Sequence, residues 1–174
     1  GTFYADIEVE ADVSITSLSG GTTFHGSDDH TIFNVETDSV TLTMSEVALT
    51  NGSGDGLAYS ELAFSDSGGG VHCDASAVVE LTDVTITDSF GTIGGGIASE
   101  GCDISLTDSQ VDGGVGEYGG GIFIGDALLT LTDSSVVDSD AEYGGGVFAY
   151  QGNVTMVDSL LDGNTADFAG GLYA

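Results

Sequence analysis

The chain has 174 residues, of which 29 are Asp or Glu and none is Lys or Arg, giving a formal net charge of −29. Nucleic acid and anionic membrane surfaces are excluded as partners, since both are bound through Lys and Arg, and no apolar run is long enough for membrane insertion. Hydrophobic residues make up 40% of the chain, enough to fold as one domain over 1–174, with the acidic self-repulsion carried by salt screening or bound cations.

Residues 1–67 are the less regular part. Val13-Ser14-Ile15 and Val40-Thr41-Leu42 repeat an alternating strand at an offset of 27, which predicts two coils of a repeat architecture. His25 stands alone between them. The cluster Asp28-Asp29-His30 is the only group with the look of a site, and its plainer reading is a solvated turn. The segment 51–67, with Gly52, Gly54 and Gly56, interrupts the spacing and predicts a loop bulging from the second coil, where a solenoid often carries function.

From residue 68 the chain is a regular repeat. Gly triplets begin at Gly68, Gly94, Gly119 and Gly144, followed by Ala169-Gly170-Gly171, at successive spacings of 26, 25, 25 and 25. The tripeptide Leu-Thr-Asp at Leu81, Leu106 and Leu131, then Met156-Val157-Asp158, recurs in phase every 25 residues. Between the markers lie short alternating runs broken by Gly, Asp and Ser, the pattern of strands with one apolar side and tight corners. Four columns stay apolar throughout: Val79/Ile104/Leu129/Val154, Leu81/Leu106/Leu131/Met156, Ile86/Val111/Val136/Leu161 and Val71/Ile97/Ile122/Val147/Leu172. With one period per coil, equivalent residues stack about 4.8 Å apart and each column becomes a ladder in a narrow core. The expected fold is all-β: a right-handed parallel β-helix, or β-solenoid, of about six coils with roughly 25 residues per coil.

Three features of this region have chemical consequences. The Gly triplet marks a corner where a Cβ would block the turn or the next coil, covered by the column Ile93/Tyr118/Tyr143/Phe168. The two cysteines, lacking metal-site spacing, predict a disulfide between Cys73 and Cys102 in an oxidising compartment. Ser99 stacks on Cys73, so Cys102 lies three residues farther on, about 10 Å away if extended, and a turn at Glu100-Gly101 must bring it back. Asp83, Asp108, Asp133 and Asp158 recur every 25 residues and should stack at one corner. Either each accepts hydrogen bonds from its own corner and stays solvated, or divalent ions bridge them, calcium being the ion that suits oxygen ligands. No cofactor is otherwise required.

The repeated Gly-Gly-Gly-Ile/Val, the run Leu129-Thr130-Leu131-Thr132-Asp133-Ser134 and the turn Gly163-Asn164-Thr165-Ala166 resemble the repeats of polymorphic outer-membrane proteins. The resemblance spans nearly the whole chain and implies a parallel β-helix at a bacterial surface with an adhesive or architectural role. The expected protein is therefore secreted, extracellular or cell-surface, and non-catalytic. Its partners would be itself through end-to-end stacking, further coils of a longer chain, or glycans and cell surfaces. The rival is a glycoside hydrolase-like β-helix with paired carboxylates; the lyases of this architecture need the Lys or Arg that the chain lacks.

Overall fold

The computed structural model describes residues 1–18, 21–27, 30–54 and 68–174; Asp28, Asp29 and the greater part of the expected 51–67 loop lie outside the described residues. The alternation seen in the sequence forms short strands, and every strand pair among the described residues is parallel. The first sheet stacks Thr2–Tyr4, Thr22–His25, Val47–Thr50, Thr85–Thr87, Gln110–Asp112, Ser135–Val137 and Leu160–Asp162. The second stacks Ile7–Glu8, Phe33–Val35, Val71–Cys73, Ile97–Glu100, Ile122–Gly125, Val147–Tyr150 and Leu172–Tyr173. The third stacks Val13–Thr16, Thr41–Ser45, Val78–Thr82, Asp103–Thr107, Leu128–Thr132 and Asn153–Val157. Among the described residues the chain visits these sheets in that order, making six full turns of a three-sided β-solenoid and two sides of a seventh. No described residue is helical.

The pairing registers reproduce the four apolar columns. Leu81, Leu106, Leu131 and Met156 stand in one ladder, as do Val79, Ile104, Leu129 and Val154. Leu106 and Leu131 are at most 1% exposed, whereas Met156 on the last rung is 36% exposed, because the 174-residue chain places no further coil over it. The ladders also run back into the N-terminal turns, where Ile15, Met44 and Leu81 share one column.

One expectation is corrected by the register. Val13 and Ile15 pair with Leu42 and Met44, an offset of 29 and not 27; Val40 is buried at the corner before the strand, and the Asp12 carboxylate accepts the Thr41 N–H at 2.9 Å. Both offsets keep the apolar parity of the strand, so alternation alone could not choose between them. The described chain stops at Gly54 and resumes at Gly68, between Val47–Thr50 and Val71–Cys73. Phe33 still pairs with Val71.

The glycine corner between the first and second sheets is closed by backbone contact. Gly68, Gly94, Gly119 and Gly144 have φ from +60° to +69°, and Ala169 takes the same place at +56°. A Cβ on Gly120 would lie 2.4 Å from the Asp140 carbonyl oxygen and 2.6 Å from that of Gly145, so the third dimension of the packing depends on its absence.

Candidate functional site

Asp83, Asp108, Asp133 and Asp158 do stack, at the corner between the third and first sheets, and all four are exposed. Their φ values, +48° to +52°, place them in the left-handed region that Asp tolerates better than most residues. The N–H of each of the first three donates to the next turn, Asp83 to Thr107 O at 3.0 Å, Asp108 to Thr132 O at 3.1 Å and Asp133 to Val157 O at 3.0 Å. The following serines turn inward: Ser109 Oγ donates to Thr107 O at 2.8 Å and accepts the Val84 N–H at 3.0 Å, while Ser134 and Ser159 repeat the pattern one and two turns on. Thr-Asp-Ser is thus a corner device, with Asp supplying the positive φ and Ser satisfying buried backbone. A second copy, at the far end of the first sheet, places Asp88, Gly113, Asp138 and Gly163 at φ from +49° to +66°. Backbone geometry accounts for the recurrence of these acids, and among the described residues no three His, Cys, Asp or Glu side chains converge to hold a metal ion.

Cys73 and Cys102 are joined by a disulfide with a Cα–Cα distance of 6.0 Å, both fully buried. Ser99 pairs with Cys73 across adjacent turns. The chain then reverses at Gly101, where φ is +97°. Ser99 Oγ donates to Cys102 O at 2.6 Å and accepts the Cys102 N–H at 3.1 Å, fastening the turn that carries Cys102 back.

The outer face of the second sheet holds the arrangement with the most chemical content. Pairing puts His72, Ala98, Phe123, Phe148 and Tyr173 in one outward column, and Glu100, Gly125 and Tyr150 in another. Phe123, Phe148 and Tyr173 stack with centroids 5.7 and 5.1 Å apart. The corner column Tyr118, Tyr143 and Phe168 stacks beside them at 5.3 and 4.8 Å, and Tyr118 meets Phe148 edge-on at 5.3 Å. Because Gly125 interrupts its column, a groove of about 620 Å³ opens between Glu100 and Tyr150, walled by aromatic rings and by Asp74, Glu100 and Asp126. Glu100 Oε1 is buried with no hydrogen-bond partner among the described residues. Burial, then the charges of Asp74 and Asp126, raise its pKa above the ordinary glutamate range.

Farther along the same face, His72 Nδ1 lies 2.8 Å from Asn34 Oδ1. Asn34 Nδ2 donates to Glu8 at 3.2 Å and Glu36 at 3.1 Å, so Asn34 Oδ1 is the acceptor and His72 Nδ1 carries the proton. Burial lowers the His72 pKa, opposed by Asp74, Glu36 and Glu8. His25 Nδ1 accepts the Ser27 N–H at 2.8 Å, and its ring lies 5.4 Å from that of Tyr4.

Neither the acids of the groove nor the Phe123/Phe148/Tyr173 column stands out from the repeat in the sequence. The signal was present: the fourth residue of each strand following the Gly triplet shares a face with the second, and those places hold Glu100, Gly125 and Tyr150. No family model, curated protein or solved structure matches the chain.

Proposed function

We propose that this chain is a secreted, surface-displayed scaffold: a stiff acidic solenoid with a structural and adhesive role and no catalytic turnover, as its resemblance to polymorphic outer-membrane-protein repeats implies. The observation that carries the reading is the buried Cys73–Cys102 disulfide, because such bonds form and persist in oxidising compartments. The recurring residues serve the fold itself, as ladders, corners and glycine contacts, which suits a spacer or an adhesive stalk. Two measurements test it in the cells that make the protein. Titration of denatured, non-reduced protein should find no free thiol, and a membrane-impermeant label should reach the chain on intact cells. Two free thiols together with no surface labelling overturn the reading.

A second reading is favoured by the groove alone. Glu100 holds its proton more tightly than an ordinary glutamate beside two further carboxylates, and a proton-holding acid facing a second carboxylate is what glycoside hydrolysis requires. Here Glu100 would donate the proton to the leaving oxygen, and Asp74 or Asp126 would be the second carboxylate of the pair. Release of reducing ends from a glycan, lost in Glu100→Gln with the fold intact, would establish hydrolysis in place of the inert scaffold.

A further inference from the structure

The groove beside Gly125 is too well furnished to be a by-product of coil stacking. Its volume of about 620 Å³ lies within the roughly 300–1,000 Å³ of sites that enclose small ligands. Tyr118, Phe123, Phe148 and Tyr150 wall one part, and Asp74, Glu100 and Asp126 the other. Glu100 Oε1 is buried with no donor among the described residues, an unfavourable state until a donor arrives. The chain has no Lys or Arg, so neither its own side chains nor those of a second copy supply an ammonium or guanidinium on an aliphatic stem. Aromatic walls add attraction for a cation and cover for an apolar stem.

We propose that this groove binds an organic cation carried on an aliphatic stem, the chemistry of a lysine or arginine side chain presented by a partner polypeptide. The cation meets Glu100 and its two acidic neighbours, and the stem lies along Phe123, Phe148 and Tyr150. Gly125 sets the depth: a Cβ there would come within 3.2 Å of Phe123 Cε1 and 3.5 Å of Cζ, so a larger side chain fills the floor. This inference stands apart from the localisation argued above, since it is measured on purified protein and the other in source cells.

The test is isothermal titration of the oxidised full chain with three probes: blocked acetyl-Ala-Lys-Ala-amide, the same peptide with the lysine Nε-acetylated, and butylamine. The charged peptide binds, acetylation weakens binding by about tenfold or more, the loss of one charge-assisted hydrogen bond, and added salt weakens it further. Glu100→Gln shows the same tenfold loss. Gly125→Leu, which leaves every charge in place, abolishes binding; circular dichroism establishes that the variant is folded, and Glu100→Gln serves alone if it is not. A peptide that binds more tightly than butylamine identifies a polypeptide source, and butylamine binding equally well identifies a free amine of the same chemistry. Equal binding of the charged and acetylated peptides overturns the proposal. So does unchanged binding in both variants, which would assign the interaction to the general acidic field, or a neutral oligosaccharide binding the groove where the charged peptide does not.

Discussion

Reduction of the Cys73–Cys102 disulfide should remove a large part of the stability of the third and fourth turns. The bond spans 29 residues, and the loop-closure entropy of a ring that size is about 12 cal/mol/K, or about 3.6 kcal/mol at 25 °C. Reduction leaves both buried side chains in place and so isolates the cross-link, whereas Cys73→Ala with Cys102→Ala adds a cavity cost on top. The assay is guanidinium unfolding followed by far-ultraviolet circular dichroism, with and without reductant. Hydrogen exchange then locates the loss, which should be greatest in Val71–Cys73, Ile97–Glu100 and Asp103–Thr107. If the oxidised and reduced curves share a midpoint and a slope, the cross-link does not restrict the unfolded chain and the reasoning fails.

Further outcomes are expected. In the 174-residue chain, Gly121→Ala should destabilise markedly and Gly171→Ala should not, though both occupy the same repeat position. A Cβ at Gly121 would lie 2.4 Å from Val136 Cγ1 and 2.7 Å from Gly146 O, and at Gly171 it meets nothing within 4 Å; equal melting shifts would deny the close-approach explanation. Because the Glu100 pKa is raised in the folded state, its ionisation works against folding: the penalty is absent below the unfolded glutamate value and complete once pH rises past the folded value. Glu100→Gln should therefore raise the melting temperature at neutral pH, with the gain vanishing in acid; a gain independent of pH would refute the assignment. Millimolar calcium, compared with sodium chloride at equal ionic strength, should leave the melting midpoint unchanged, since corner geometry suffices to explain Asp83, Asp108, Asp133 and Asp158; a calcium-specific rise would identify them as an ion site.

The solenoid was legible because its period is long, repeated and carried by two markers in phase. A ladder such as Ile104 over Val79 follows directly from an offset of 25. The N-terminal register was not legible, because offsets of 27 and 29 both keep Val13 and Ile15 facing inward, and only the corner contacts of Val40 and Asp12 distinguish them. The Asp corners were visible as a repeat, but their cause was not. Positive φ at Asp88 and Asp138, alternating with Gly113 and Gly163, is a backbone property that becomes readable only once Asp and Gly are treated as equivalent at a turn. The groove was hidden for a different reason: Asp74, Glu100 and Asp126 lie on successive turns, and the opening between them is made by the missing side chain of Gly125.

The change of spacing between two adjacent sides shows how such a rod tolerates change. Ser53 pairs with Phe90 across 37 residues, while Val71 pairs with Ile97 across 26, so the surplus residues leave the strands on either side in step. A whole turn can therefore be duplicated or deleted at a cost confined to its two neighbours, changing the length of the rod by about 4.8 Å. One residue gained inside a strand would invert every side chain beyond it. Such a molecule changes length in quanta.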